Sequence, residues 1–274
     1  MLIQRVLTAL VLLPMLLAAV WFLEPPALYA VFCVAGLLAM WEWAGLMGAP
    51  ASTTTGRAVV VAICAVALLV AWFFRQHAVW VLAAALLWWL YVLLALLRGY
   101  PENFQHARPQ ASAMLGFGLL MVVPTMLGLW VLHAMPEGAL RVLFLFFLVF
   151  AADTGAYFAG RRYGRRKLAP SISPGKTVEG LCGGLGLSAV WTLLAGPFVF
   201  GLQTPLAVLP LLGLCLLVAG FSVVGDLCES LFKRAAGIKD SGRILPGHGG
   251  MLDRVDSVLA AAPTMALGLI VLKI

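Results

Sequence analysis

Charged side chains are scarce in this sequence, and their scarcity excludes a soluble globular fold. Only 11% of the 274 residues are Asp, Glu, Lys or Arg, while 63% are hydrophobic. Soluble domains carry about 25% charged residues, and a soluble chain of this length could not bury so much apolar surface. We therefore expect an integral membrane protein whose apolar side chains face lipid.

The sequence also lacks the motifs of several other protein classes. None of its five cysteines forms a CxxC pair, so we interpret them as small buried hydrophobic residues. There is no GxSxG motif and the four histidines lack metal-binding spacing, which argues against a serine hydrolase or a zinc protease. The GKT tripeptide at 175–177 is not a P-loop, because Pro170 stands where that motif needs glycine and we expect no strand before it.

Long apolar runs predict nine membrane-spanning helices. A span needs about 20 mainly apolar residues, and runs of this kind are separated here by Pro- and Gly-containing turns. The runs are unbroken rather than alternating, which argues against a β-barrel. We predict an all-α polytopic membrane protein with spans near residues 6–23, 27–48, 58–74, 78–97, 112–133, 140–159, 178–200, 205–225 and 257–273.

Positive charge predicts the orientation of these spans. With nine spans, 15 of the 18 Lys and Arg residues fall on the side of the N-terminus, and only Arg75, Arg141 and Lys273 fall on the other. Positively charged loops stay in the cytoplasm, so we expect the N-terminus and the two long polar loops there. The same rule explains the net charge of +7 without a nucleic-acid partner.

Acidic residues divide the chain into two unequal parts. Residues 1–150 contain four, and residues 151–274 contain seven. Glu42 lies inside the second apolar run, where a carboxylate is costly and is either hydrogen-bonded within the protein or part of a site; both interpretations stay open. We predict an N-terminal scaffold in residues 1–150 and a catalytic half in residues 151–274, within one membrane unit.

The segment GDLCESLFKR at 225–234 follows the eighth apolar run. If the helix continues through it, one face carries polar residues at positions i, i+3, i+4 and i+7, namely Asp226, Glu229, Ser230 and Lys233. The alternative is a new, solvated helix whose acids complement the helix dipole. The apolar run before Asp226 argues against a new start, so we expect this polar face to meet the protein interior.

Glycines, cations and paired carboxylates are concentrated between the last two apolar runs. Asp253 and Asp256 share a face if their segment is helical, and carboxylates without a Cys or His cluster favour Mg²⁺ over zinc. Arg243, His248 and Arg254 could hold phosphate. A polar loop with turn glycines is the alternative, and the nearby acidic face of helix 8 argues against it.

A third polar region precedes the seventh apolar run. Lys176 lies where that helix should open, with Ser173 as a candidate N-cap and Pro174 in the first turn. Acids for a divalent cation, cations for phosphate and glycine-rich backbone together indicate phosphoryl or nucleotidyl transfer. The membrane setting indicates that one substrate is a lipid.

The order of these residues resembles the signature of the phosphatidate cytidylyltransferases, also called CDP-diacylglycerol synthases. The likeness lies in Ser230-x-x-Lys233-Arg234, in Lys239-Asp240, and in Pro246-Gly247-His248-Gly249-Gly250-x-x-Asp253-Arg254-x-Asp256. Two earlier segments are also similar to that family: Asp153-Thr154-x-Ala156-Tyr157-x-x-Gly160 and Ser173-Pro174-x-Lys176-Thr177-x-Glu179-Gly180.

The resemblance implies transfer of the cytidylyl group of CTP to phosphatidate, with Mg²⁺ as cofactor, at the cytoplasmic face of a bacterial-type inner membrane. It implies Asp226, Asp253 and Asp256 as metal ligands. Asp153 and Glu229 are further site candidates to which the sequence assigns no role. The resemblance also implies a larger set of residues that contact the phosphates and the nucleotide: Lys176, Ser173, Lys233, Arg234, Lys239, His248, Arg254, Gly247, Gly249 and Gly250. We expect CTP, phosphatidate and membrane lipid as partners, and we expect no nucleic-acid partner. Whether the protein forms a homodimer stays open.

Two other functions stay open. A CTP-dependent lipid kinase or another cytidylyl-lipid enzyme would use similar groups, whereas the CDP-alcohol phosphotransferases use aspartates four apart after a DG dipeptide that this chain lacks. An ion-coupled transporter would show inverted repeats and helices interrupted at midplane. Here the polar residues cluster at the predicted cytoplasmic ends instead.

Overall fold

Nine α-helices build the part of the chain that this computed structural model describes, residues 2–98, 110–245, 247 and 249–274. Eight of them, α2 to α9, are long and apolar enough to cross a membrane, and the apolar part of α1 covers Leu10–Phe22. The all-α membrane prediction is confirmed. The helices are α1 (Leu2–Phe22), α2 (Pro25–Leu46), α3 (Thr54–Phe73), α4 (Ala78–Arg98), α5 (Ala111–Ala134), α6 (Gly138–Tyr163), α7 (Val178–Phe200), α8 (Pro205–Ala235) and α9 (Leu252–Leu272).

Two of the helices run beyond their predicted spans. Helix α8 continues to Ala235 instead of ending at 225, and α9 begins at Leu252 instead of 257. Hydropathy alone misses both extensions, because charged residues interrupt their apolar sequence. As a result, Asp226 and Lys233 lie on α8, and Asp253 lies in the first turn of α9.

A short β-hairpin between α6 and α7 corrects the prediction for this region. Strand β1 (Lys167–Ala169) pairs antiparallel with β2 (Ser173–Thr177). The predictions that Ser173 caps α7 and that Lys176 opens it are wrong, since both lie in β2 and Thr177 accepts a hydrogen bond from the Gly180 amide at 3.1 Å. The GKT tripeptide lies within β2, so it forms no P-loop, although a strand does precede it.

Small residues bring α6 and α7 into close contact. A Cβ atom added at Gly155 would meet the Gly183 carbonyl, and one added at Gly184 would meet the Ala152 carbonyl. Membrane helices that approach so closely use glycine and alanine at their interface. The close packing of α6 and α7 fixes the C-terminal end of α6 and the N-terminal end of α7, which the hairpin connects.

Helix α9 forms the centre of the bundle and contacts α4, α5 and α8. Ala260, Ala261 and Ala262 are fully buried along it. The Trp89 indole of α4 and the Thr125 hydroxyl of α5 both donate to the Leu259 carbonyl, at 3.1 and 2.9 Å. The N-terminal helices therefore bind directly to the helix that carries Asp253 and Asp256.

Candidate functional site

Lys233 joins two acids where α8 ends and α9 begins. Its Nζ lies 2.5 Å from Glu229 Oε2 and 2.6 Å from Asp253 Oδ1. Glu229 is one helical turn before Lys233, and both are buried. The predicted polar face of α8 is therefore observed. Because removing Lys233 would leave two largely buried carboxylates without their cation, this triad links the two helices.

Asp253 is also bound by the backbone of the loop between α8 and α9. Its Oδ2 accepts from the Ser241 amide at 3.0 Å and from the Gly250 amide at 2.8 Å. The neighbouring Gly249 has a φ of +83°, which favours glycine. Both oxygens of Asp253 thus have donors, so the loop fixes the orientation of this carboxylate.

A second ion pair connects the hairpin to α8. Lys176 Nζ lies 2.6 Å from Asp226 Oδ2, and both side chains are about one quarter exposed, at 25% and 26%. The Ser230 hydroxyl donates to Asp226 Oδ1 at 3.2 Å. The pair is thus held on one side by α8 and remains accessible on the other.

One buried residue of the hairpin positions Lys176. Ile172 is fully buried and packs with Leu227 and Leu231 of α8 in a small core of its own. The Arg234 guanidinium donates to the Ile172 carbonyl at 3.2 Å. These contacts hold β2 against α8, which places Lys176 beside Asp226.

Two further carboxylates interact electrostatically with the Lys176–Asp226 pair. Asp153 of α6 and Asp256 of α9 both interact electrostatically with Asp226 and with Lys176. The lysine therefore faces more than one acid, and the excess oxygen donors are of the type that hard divalent cations prefer. Among the described residues, however, no three acids, histidines or cysteines form a ready-made metal cage.

A cleft of about 470 Å³ opens beside this cluster, between α6, the hairpin and α7. Its polar lining includes Asp153, Tyr157, Arg161, Ser173 and Lys176. The remaining wall is largely small or apolar. The cleft thus combines two cations, hydroxyl groups and apolar surface at one end of a membrane bundle.

The other predicted contact residues lie around the α8–α9 loop. Arg234, Lys239, Arg254 and Gly247 are exposed. Gly249 pairs with Leu245 in an isolated antiparallel bridge, while Gly250 is buried. His248 lies outside the described residues. Among the predicted site residues, the structure thus forms two groups. Glu229 and Asp253 lie around Lys233, and Asp226 lies beside Lys176.

Glu42 is the site-region residue that sequence reasoning left undecided. It is 1% exposed, and its Oε2 accepts from the Leu252 amide at 2.8 Å and from the Ser241 hydroxyl at 3.1 Å. The only signal in the sequence was an acid within an apolar run. Its partners lie some 200 residues away, so spacing could not reveal them.

Known proteins resemble this chain along nearly its whole length. The sequence model of the cytidylyltransferase family matches residues 3–272. The chain belongs to this family. Among curated cytidylyltransferases, the phosphatidate cytidylyltransferase of Pseudomonas aeruginosa is 44% identical over 267 residues, which cover 97% of this chain and 96% of that protein. The Haemophilus influenzae phosphatidate cytidylyltransferase is 36% identical over 285 residues and 96% of each chain. The resemblance that the signature residues indicated is confirmed.

Proposed function

We propose that this chain transfers the cytidylyl group of CTP to phosphatidate and releases CDP-diacylglycerol and pyrophosphate. The observation that carries the proposal is its similarity to phosphatidate cytidylyltransferases over almost the full length of both chains. The eight apolar helices support a lipid substrate. The lysines and carboxylates at one end of the bundle supply the groups that such a reaction uses.

The reaction needs charge neutralisation more than a strong base. A phosphate monoester has a second pKa of about 6, so the lipid phosphate is already a nucleophilic anion near neutral pH. Its oxygen forms a bond to the α-phosphorus of CTP, and the bond from that phosphorus to the oxygen bridging to the β-phosphate breaks. The electron pair leaves with pyrophosphate. The main obstacle is repulsion between two anions.

The two lysines have different roles in this proposal. Lys233 is buried between Glu229 and Asp253 and holds their orientation. Lys176 is partly exposed beside the cleft, so a substrate phosphate can compete with Asp226 for its ammonium group. Lys176 therefore contacts the reacting phosphates, whereas Lys233 keeps Asp253 in place.

Asp226, Asp253 and Asp256 are our proposed ligands for Mg²⁺. Magnesium in such sites is usually held by one or two carboxylates, with substrate phosphates completing its coordination. This pattern suits carboxylates that do not form a complete cage among the described residues. When bound, Mg²⁺ would neutralise the CTP phosphates and polarise the α-phosphoryl group.

The cleft is our proposed site for the phosphatidate head group. Arg161 and Lys176 supply positive charge, Ser173 supplies a hydroxyl, and Leu168 and Leu181 supply apolar surface. We propose that CTP binds to residues near the α8–α9 loop. The signature resemblance implicates these residues: Arg234, Lys239, His248, Arg254, Gly247, Gly249 and Gly250.

The bacterial relatives support an inner-membrane location, and we propose that the N-terminus and the site face the cytoplasm. The strong excess of Lys and Arg on that side supports this orientation. Labelling of engineered single cysteines with a membrane-impermeant reagent would test it. The homodimer and the absence of a nucleic-acid partner stay predictions, and cross-linking in native membranes would test the first.

The position of the label in CTP separates the candidate reactions. Purified protein in phosphatidate-containing vesicles is given Mg²⁺ and CTP labelled at either the α- or the γ-phosphate. We expect α-label in the lipid fraction and γ-label in pyrophosphate. Transfer of the γ-label to lipid would instead show a lipid kinase. If neither labelled lipid nor labelled pyrophosphate forms, and the vesicles take up a solute in an ion-dependent way, the protein is better explained as a transporter.

A further inference from the structure

In the described residues just before helix α9, no side chain caps its N-terminus. Its N-cap residue, Met251, makes no side-chain hydrogen bond, although the first amides of a helix have no partner within the helix. The Leu252 amide instead donates to Glu42 of α2, at 2.8 Å. A carboxylate at a helix N-terminus also interacts favourably with the helix dipole. Glu42 therefore caps α9 from the opposite half of the chain.

The same carboxylate holds the α8–α9 loop. Its Oε2 accepts from the Ser241 hydroxyl at 3.1 Å, while the Ser241 amide donates to Asp253 at 3.0 Å. A Cβ atom added at Gly242 or at Gly250 would collide with the Glu42 carboxylate. The loop thus encloses the Glu42 carboxylate closely. The amides that orient Asp253 belong to Ser241 and Gly250, and both of these residues lie beside the Glu42 carboxylate.

Helix α2 can hold this position because it is fixed to the rest of the bundle. Trp43, the next residue, donates to the Met114 carbonyl of α5 at 2.8 Å. Its ring meets the ring of Phe232 edge-on, with centroids 4.8 Å apart. Phe232 directly precedes Lys233, so α2 and the Lys233–Asp253 pair belong to one packed unit.

We propose that Glu42 is a positioning residue for the transfer reaction. By accepting from Leu252 and Ser241, it keeps the loop in the conformation whose amides orient the Asp253 carboxylate. Because Glu42 is buried and hydrogen-bonded to the loop, it acts through Asp253 and not by touching the substrate. The inference rests on the proposed function only where activity is measured, since the order of the loop can be measured without substrate.

Two substitutions at Glu42 separate the effect of its hydrogen bonds from the effects of its size and of its charge. Glu42→Met keeps the unbranched shape and removes the acceptor. Glu42→Gln keeps an acceptor oxygen at the Oε2 position and removes the charge, and it can do so because both bonds from the loop go to that one oxygen. Tyr29→Phe is the matched control, because Tyr29 also lies on α2 and its buried hydroxyl donates to the distant Leu68 carbonyl.

We expect Glu42→Met to lower kcat about 10- to 100-fold, the usual cost of losing a residue that orients a metal-site ligand. The KM values for CTP and phosphatidate should change much less. Glu42→Gln should recover only part of kcat, because its amide nitrogen takes the buried Oε1 position, which has no hydrogen-bond partner among the described residues. Tyr29→Phe should match the parent protein. Wild-type kcat in Glu42→Met, or equal losses in the Gln and Met variants, would overturn the proposal.

Hydrogen–deuterium exchange without substrate gives the second readout. Glu42→Met should speed exchange in residues 240–245 and 249–252 and leave α5 unchanged. Unchanged loop exchange, or faster exchange throughout the protein, would overturn the positioning role even if the wild-type chain had no transferase activity. Should Glu42→Met fail to fold, Ser241→Ala removes one of the two bonds and must still speed exchange in the loop.

Discussion

The two halves of this chain contribute different things to the same end of the bundle. Residues 151–274 supply the acids and lysines of both ion-pair clusters. Residues 1–150 supply Glu42, a buried acid that binds the α8–α9 loop, and this loop orients the Asp253 carboxylate. The reactive half thus depends on the other for its local order. The division into scaffold and catalytic half stays a prediction, and the substitutions below test it from the largest expected effect to the smallest.

Asp253→Asn should have the largest effect on activity. The change removes the charge opposite buried Lys233 and leaves that lysine with Glu229 as its remaining acid. We expect kcat to fall more than about 100-fold, beyond the usual loss for a supporting residue, in the radiolabel assay. Glu24→Gln, an exposed acid of the N-terminal half, is the control and should keep full activity. Comparable activity in the two variants would remove Asp253 from the site.

Lys176→Met should come next. It removes the cation paired with Asp226 at the edge of the cleft, and we expect kcat/KM to fall about 10- to 100-fold, as for loss of a charge-assisted hydrogen bond of roughly 1.5–3 kcal/mol. Arg165→Gln removes an equally positive, exposed side chain from the same polar region. If both variants lose activity equally, the effect comes from general charge and not from the cluster.

Arg161→Ala tests which substrate uses the cleft. Arg161 lines it and donates to the Tyr157 hydroxyl at 3.1 Å. We expect the KM for phosphatidate to rise about tenfold, which corresponds to about 1.4 kcal/mol, with little change in the KM for CTP. Arg162→Ala is the neighbouring control. A rise in the KM for CTP alone would assign the cleft to the nucleotide instead.

Ile172→Ala should loosen the hairpin without disrupting the bundle. Its side chain is fully buried against α8, and such truncations cost about 2–5 kcal/mol where the site cannot collapse. We expect faster amide exchange in residues 167–177 and a smaller loss of kcat/KM than in Lys176→Met. Ile63→Ala, whose side chain is exposed on α3 in the N-terminal half, should alter neither quantity. Unchanged hairpin exchange would contradict the anchoring role of Ile172.

Gly184→Ala should have the smallest effect on turnover and a clear effect on stability. A Cβ atom there would meet the Ala152 carbonyl of α6, whereas a Cβ atom at Gly186 would meet open space. Overpacking costs about 1–3 kcal/mol, so Gly184→Ala should lower the melting temperature in detergent and Gly186→Ala should not. Equal melting temperatures would show that α6 and α7 can move apart easily.

Hydropathy predicted most of the fold, because long apolar runs define membrane helices whatever their neighbours are. It did not predict the hairpin, whose one fully buried apolar residue, Ile172, lies in a polar segment. The spacing of polar residues predicted that α8 continues past Asp226. The residues of the site were found by their chemical type, but the pairing of Lys176 with Asp226 was not, since partners fifty residues apart leave no periodic signal.

Glu42 shows the same limit most clearly. An acid inside an apolar helix indicates either a structural hydrogen bond or a site, and only its contacts decide between them. Those contacts, Ser241 and Leu252, lie in the other half of the chain. Composition could therefore divide the chain into halves, but it could not show that one half orders the other.

The most direct test of the account compares the wild-type chain with Asp226→Asn in phosphatidate vesicles, with CTP labelled at the α-phosphate. Cytidylyl transfer at the Lys176–Asp226 cluster predicts lipid-soluble label and released pyrophosphate from the wild type and almost none from Asp226→Asn, with both proteins equally folded and inserted. Equal label in the lipid fraction from both proteins would place the reaction elsewhere in the molecule, and no label from the wild type would contradict the proposed function itself.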